Sequence, residues 1–238
     1  MNNKKRFLNT VTSNTFDLAQ GALLVARHFR PQLDIDYQLS LIDALVSKAT
    51  TAQAHDTASL LAFFTRQGFR GNRENYYHQN NSLLDQVMID RRGIPISLAI
   101  LYLSVIQRLN IPCLKAHGIG FPGHFLLSIN HSGVEHLVDV FEARQVTRQQ
   151  CYQRIASHTI DPDPAHFNAA TNHDILCRLL ENLKVIYWNK GDHSTVLDCL
   201  DYQLMIFPER KALLQQQHNL LTSVGKERRD QPGNMQLH

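Results

Sequence analysis

The segment from Ile94 to Leu109 constrains the fold of this chain most, because it reads as a helix with apolar residues on nearly every face. Pro95 stands in its first turn, where the missing backbone N–H of proline costs nothing. A helix that is apolar all round is buried all round. The sequence therefore predicts a central helix that the rest of a domain surrounds.

Three strands are predicted directly after this helix. Apolar and β-branched residues dominate 113–119, 124–129 and 135–141, and turn residues separate them at 120–123 and 130–133. Strands joined by such short turns pair in an antiparallel sheet. A buried helix against an antiparallel sheet is an α+β fold.

Helices are predicted before the central helix as well. Apolar stripes with helical spacing cover about residues 16–26, 37–48 and 52–67, and a short helix follows Ser82. Residues 72–80 are polar and aromatic and are expected to form a loop. Residues 1–165 are therefore expected to be one domain with N-terminal helices.

The last part of the chain has a helical pattern again. Residues 173–224 are expected to form a helical region similar to a tetratricopeptide unit, with residues of the preferred type at Leu183, Tyr187, Leu200 and Pro208. A single unit cannot bury its own apolar face. We therefore expect it to pack on the domain through Leu179 and Leu183 and to offer its remaining groove to a protein partner. Residues 225–238 are polar and are expected to be disordered.

The charge of the chain is modest and dispersed. Its 238 residues include 24 basic and 21 acidic ones, which gives a net charge of +3. Nucleic-acid binding normally requires a clustered basic face, so no nucleic-acid partner is expected. No apolar run has the length of a membrane span, so no membrane association is expected either.

Four cysteines stand far apart in the chain, at positions 113, 151, 177 and 199. None forms a Cys-x-x-Cys pair, so neither a zinc knuckle nor a thioredoxin motif is present. Cys177 and Cys199 lie beside leucines in helical patterns, as reduced buried thiols do. The chain is therefore expected in a reducing cytoplasm, with no cysteine at an electropositive helix N-terminus and hence none with a reactive thiol.

The order Pro95, His124, Asp139 carries the only catalytic pattern that we find. A turn that opens a buried helix, a histidine that begins a strand and an aspartate on the next strand are the layout of a Cys-His-Asp hydrolase or acyltransferase. Here Pro95 holds the place of the cysteine. Ser97 is rotated by about 200° from that position, and Cys113 lies at the far end of the helix. Neither is expected to replace the thiol.

These motifs resemble the transglutaminase-like branch of the papain fold, and more closely the SirB-type bacterial family, which joins such a core to a tetratricopeptide tail. The similar segments are Gly68–Asn72, Asn81–Leu84, Arg92–Leu98, Pro122–Phe125 and Val138–Phe141, together with Cys151. The resemblance implies the fold and the degenerate triad positions Pro95, His124 and Asp139. It implies no defined activity. Val140 departs from the family's preference for proline after the aspartate.

Two functions follow as hypotheses. The first is a non-catalytic interaction or regulatory protein, a pseudoenzyme, because the nucleophile is missing. The second is a hydrolase or acyltransferase that uses His124 and Asp139 without a cysteine. A metal site from His117, His124 and His136 is possible by strand spacing but common by chance. We therefore expect no metal and no cofactor, and read Arg91 and Arg92 as a solvated helix end rather than an anion site.

Overall fold

A computed structural model describes residues 2–156 and 160–230, with side chains described through residue 223. The chain divides into two compact units, Met1–Leu179 and Leu180–His238. The sequence placed the change of domain between residues 165 and 173. The division between the two compact units falls within the helix Asn172–Asn189.

The helices of the first unit are α1 Asn3–Val11, α2 Leu18–Phe29, α3 Ile35–Thr51, α4 Thr57–Arg66, α5 Leu84–Asp90, α6 Pro95–Leu109 and α7 Arg148–Ala156. Aspartates accept hydrogen bonds from the first backbone N–H groups of α2, α3 and α4. The sequence predicted that α4 begins at about residue 52. It begins at Thr57, because Asp56 and Ser59 form a capping box there. The sequence did not predict α1 or α7.

Helix α6 is the central helix, as its apolar pattern predicts. Nearly every residue from Pro95 to Ile106 is buried, and the helix contacts α2, α3 and α5 as well as the sheet. The ring of Tyr102 stacks on Phe64 of α4 at a centroid distance of 3.6 Å. Asn110 ends the helix in the left-handed conformation, with φ at 50°.

Among the described residues, five strands form an antiparallel sheet in the order β6-β5-β4-β3-β7. The bounds of all strands are β1 Arg70–Gly71, β2 Arg92–Gly93, β3 Leu114–Ile119, β4 Leu126–His131, β5 Val134–Asp139, β6 Arg144–Val146 and β7 Ala169–Ala170. The three predicted strands β3, β4 and β5 are present, but His124 lies in a bend before β4 rather than in it. The short strands β1 and β2 pair in parallel beside α6. The fold is α+β.

The remaining helices are α8 Asn172–Asn189, α9 His193–Ile206 and α10 Lys211–Asp230. The first turns of α8 belong to the first unit, where Nη2 of Arg178 donates to backbone oxygens of the bend that holds His124. The backbone of α10 is helical through Asp230, although disorder was expected from residue 225. The last part of that expectation, residues 231–238, lies outside the described residues. A search of the described helices finds none with the length and apolar content of a membrane span.

Candidate functional site

The bend that carries His124 is built by local turns and held by a remote arginine. Gly123 has φ at +65°, a conformation that glycine adopts without strain. The backbone N–H of His124 donates to the oxygen of Phe121. Nη2 of Arg178 donates to the same oxygen at 2.9 Å and to that of His124 at 2.7 Å. A charged donor therefore fixes the position of the histidine.

The structure brings His124 and Asp139 together. Nε2 of His124 lies 2.9 Å from Oδ2 of Asp139, and the two side chains are 9% and 1% exposed. The imidazole and the carboxylate are therefore in close polar contact. Nη1 of Arg154 lies 3.3 Å from the same oxygen.

The other carboxylate oxygen of Asp139 shapes the chain after β5. Oδ1 accepts from the backbone N–H groups of Phe141 and Glu142, both at 3.1 Å. Burial raises the pKa of Asp139, but His124, the Glu142 N–H and Arg154 together lower the pKa further, so its net pKa lies below the usual aspartate range. The fold thus favours the charged form of this carboxylate, and its Oδ1 holds the turn after β5.

Pro95 is the first residue of α6 and is buried. The side chain of Ser97 does not face an open cleft, because its hydroxyl oxygen accepts from the backbone N–H of Ile94 at 3.1 Å and donates to the oxygen of Asn81. Ser97 therefore caps the helix. At the start of the helix, Pro95 has no nucleophilic side chain, and the hydroxyl of Ser97 is already used in hydrogen bonds to the backbone.

Phe141 links the His124–Asp139 pair to the strands that lead into α6. Its ring lies 6.4 Å from the ring of His124, centroid to centroid, in an edge arrangement. Its backbone oxygen accepts from the N–H of Gly71 at 3.3 Å. A Cβ atom on Gly71 would lie 2.5 Å from the Phe141 ring, so only glycine permits this approach. Gly71 pairs with Gly93, which stands two positions before Pro95.

The space beside His124 and Asp139 is very small. A cavity of about 20 Å³ is lined by both side chains and by Cys151 and Arg154. That volume holds about one water molecule. No substrate side chain fits there in this conformation.

Cys151 is the cysteine of this cavity, and its position corrects one expectation. It lies in the first turn of α7, between Arg148 and Arg154, whereas no cysteine was expected at an electropositive helix start. It is nevertheless only 5% exposed. Burial raises its pKa, and Asp139 adds to that effect against the three nearby arginines, so the net pKa is raised. An activated nucleophile has the opposite shift.

Two of the three histidines considered for a metal site, His124 and His136, contact different side chains. Nδ1 of His136 lies 3.0 Å from Oε1 of Gln145, and His124 contacts Asp139. Within residues 2–156 and 160–230, no group of three or more His, Cys, Asp or Glu side chains is arranged to hold a metal ion.

The second unit carries an open groove of about 530 Å³ between α8, α9 and α10. The groove is lined by the ring of Trp188, which is 56% exposed, and by the methyl groups of Val185, which is 42% exposed. At its edge Lys184 is buried and bonded, with Nζ 2.6 Å from Glu181 and 2.7 Å from Gln216. The groove is therefore apolar with a satisfied polar margin.

Sequence reasoning missed three residues of the site. Arg154, Arg178 and Phe141 reach the His124–Asp139 pair from α7, α8 and the turn after β5. Their positions depend on tertiary packing, and no local pattern marks them. The only available signal was that Phe141 and Cys151 lie in the segments that carry the family resemblance.

Comparisons with known proteins identify the family of the chain. A family model described as the transglutaminase-like superfamily matches residues 32–181. A UPF0162 protein of Xylella fastidiosa (strain 9a5c) is 31% identical over 87% of this chain and 78% of its own length. A UPF0162 protein of Vibrio cholerae is 28% identical over 82% of this chain and 76% of its own length.

The similarity extends to a eukaryotic protein. Human F-box only protein 21 is 30% identical over 66% of this chain, which corresponds to 26% of the human protein. No solved structure matches the chain.

Proposed function

Because the chain belongs to the transglutaminase-like superfamily and, within it, to the UPF0162 proteins, we propose that it is a non-catalytic interaction or regulatory protein of the SirB type. The observation that carries this proposal is that the buried helix α6 begins with Pro95, and the resemblance implies that this is the nucleophile position. Proline has no atom that can attack a carbonyl carbon. A thiol at that place is what a reaction of the transglutaminase type requires.

The surroundings of the remaining pair support the same proposal. Oδ1 of Asp139 accepts two backbone hydrogen bonds, Oδ2 lies against His124 and Arg154, and His124 is 9% exposed beside a cavity of about 20 Å³. A general base must come within about 3 Å of the proton it removes. A hydrolase that uses His124 and Asp139 without a cysteine would need this cavity to open by the volume of a substrate group.

We propose that the partner binds the groove of the second unit, which we interpret as a tetratricopeptide-like surface. Trp188 is large, rigid and more than half exposed at the groove. Partly exposed tryptophan is enriched at binding hot spots because it removes much apolar area from water at little entropic cost. The partner segment is expected to insert an apolar side chain beside Trp188.

The test is capture of partners from a native lysate on the immobilised full chain. Trp188→Ala should lose the partners that the native chain retains. Ile89→Ala, which removes an apolar side chain that is 60% exposed in the first unit, is the matched control and should keep them. Equal capture by both variants would refute the groove as the partner site. A truncation before His173 is unsuitable, because it would also remove Arg178 from the first unit.

A further inference from the structure

The sheet of the first unit has an open edge on β3. Strand β4 pairs with β3 along its whole length, from Leu114 to Ile119. On the other side, β7 pairs only with Gly118 and Ile119. The chain then leaves the sheet, because α8 begins at Asn172. Residues 114–117 therefore have no strand neighbour on this side within the described parts of the chain.

The pairing pattern identifies which backbone groups point out of this edge. The N–H of Ser132 donates to the oxygen of Cys113, which marks these opposite residues as a hydrogen-bonded pair. In antiparallel pairing such pairs alternate, so Lys115 and His117 bond to β4. Leu114 and Ala116 therefore point their N–H and C=O groups outward.

Not all of these outward groups are free. The N–H of Leu114 donates to the oxygen of Ile111 at 3.0 Å, within the turn that precedes β3. The C=O of Leu114 and both backbone groups of Ala116 face away from β4 at positions that β7 does not reach, within residues 2–156 and 160–230. They form a short row of acceptor, donor and acceptor, which is what an added strand uses.

A cavity runs along the same edge. It has a volume of about 620 Å³ and is lined by β3, by apolar side chains such as Leu103, Ile106 and Ile175, and by the polar residues Gln107, Asn110 and Asn172. Ala116 and Gly118 face this side with little or no side chain. Alternate side chains of an added strand would point into this space, because successive residues of a strand face opposite sides of the sheet.

The opposite face of the edge is basic. The side chains of Lys115 and His117 alternate along β3 with those of Leu114 and Ala116, and both are exposed at the mouth of the cavity, which they help to line. Lys115 has no acidic partner among the described residues. The nearby Glu135 is occupied, because Ser128 donates to it at 2.7 Å and Arg148 lies 3.5 Å from it. A strand beside Lys115 is therefore stabilised by acidic side chains on this face.

We propose that the open edge of β3 binds an extended segment of a protein partner in which apolar residues alternate with acidic ones. The apolar residues enter the cavity and the acidic residues lie beside Lys115 and His117. A second copy of this chain fits poorly, because antiparallel pairing of two β3 edges would place basic residues against each other. This site is separate from the groove at Trp188, and either can fail without the other.

The test uses a synthetic octapeptide of alternating valine and glutamate with blocked ends, and a matched peptide of valine and lysine. The full chain should bind the glutamate peptide and not the lysine peptide in isothermal titration calorimetry. Ala116→Pro removes one outward N–H without touching the pairing with β4, and should weaken binding about tenfold. Ala116→Ser keeps the N–H and should leave the affinity within about twofold.

A charge exchange tests the proposal independently of Ala116→Pro, which would be uninformative if it failed to fold. Lys115→Glu should reverse the preference toward the lysine peptide. The proposal is overturned if the native chain binds neither peptide or both equally, or if Lys115→Glu does not shift the preference. It is also overturned if the free chain forms a dimer that Ala116→Pro abolishes, because a second copy of the chain would then occupy the edge. A further contrary result is that the glutamate peptide binds only after residues 231–238 are deleted.

Discussion

Arg178 of α8 donates a hydrogen bond of 2.7 Å to the backbone oxygen of His124, although 54 residues separate them in the chain. The same guanidinium group donates to the oxygen of Phe121. Its carbon lies 5.6 Å from the ring centre of Phe125, which is a cation–π distance. One side chain of α8 thus holds the whole bend that positions the histidine.

Replacing Arg178 by methionine should lower the free energy of unfolding by about 2–4 kcal/mol, because two backbone oxygens lose a charged donor. Urea denaturation followed by circular dichroism measures this change. Arg66→Met, which alters an exposed residue at the end of α4, is the control and should change the stability by less than about 0.5 kcal/mol. A loss no larger than the control's would mean that the bend does not depend on Arg178.

Replacing Asp139 by alanine should lower the free energy of unfolding by about 3–5 kcal/mol. The substitution leaves the N–H groups of Phe141 and Glu142 without their acceptor, and it leaves Arg154 beside an emptied position. Thermal and urea unfolding measure the effect. Asp36→Ala should lower the free energy of unfolding only slightly, although it removes the ion pair with Arg6, because the Asp36 side chain is 83% exposed. Comparable losses in the two variants would contradict the structural role of Asp139.

The pKa of Asp139 predicts how its contribution depends on pH. Because its pKa is lower in the folded chain than the ordinary value of 3.8, its charge stabilises the fold fully above that value. The contribution is lost as the pH falls through the folded-state pKa. The stability difference between the native chain and Asp139→Asn should therefore be constant from pH 7 to about 5 and shrink below about pH 4. A difference that stays constant to pH 2.5 would refute the lowered pKa.

Thiol labelling tests whether any cysteine acts as a nucleophile. Cys113 is exposed and should react with iodoacetamide in the folded chain, whereas Cys151, Cys177 and Cys199 are buried and should react only after unfolding. Burial raises the pKa of Cys151, and it raises that of Cys199 to about 12. Mass spectrometry of the labelled peptides measures this order. Rapid labelling of Cys151 that disappears in His124→Ala would identify a thiol nucleophile and reject the non-catalytic proposal.

The contact between Gly71 and Phe141 is testable by a paired substitution. Gly71→Ala should destabilise the chain by about 1–3 kcal/mol, since the added methyl group meets the Phe141 ring at 2.5 Å. Phe141→Leu alone should also destabilise it, because the aromatic contacts with His124 and Tyr76 are lost. The double variant should lose less free energy of unfolding than the sum of the two single losses, since leucine at position 141 makes room for the added methyl group. Simple additivity in urea denaturation would show that the two residues do not touch.

Local chemistry allowed much of the fold to be predicted. The apolar residues of α6 required burial, and Pro95 and Asn110 are residue types that favour the start and the end of a helix. The turn residues between β3, β4 and β5 separate three strands that are present in the sheet. The order Pro95, His124, Asp139 also placed a histidine beside an aspartate. The helices and strands depend on neighbours within a few residues or on a repeating period, whereas the pair of His124 and Asp139 was expected from the order of motifs along the chain.

Tertiary structure alone decided which remote groups complete the site. Arg178, Arg154 and Phe141 contact the His124–Asp139 pair from three separate elements, and their side chains follow no periodicity that marks them. The open edge of β3 likewise exists only because α8 draws the chain away after Ala170. Sequence determined most of the helices and strands and the proline that begins α6, since these are properties of single residues and short patterns. Packing determined the closed cavity and the open edge, because both depend on where distant segments end.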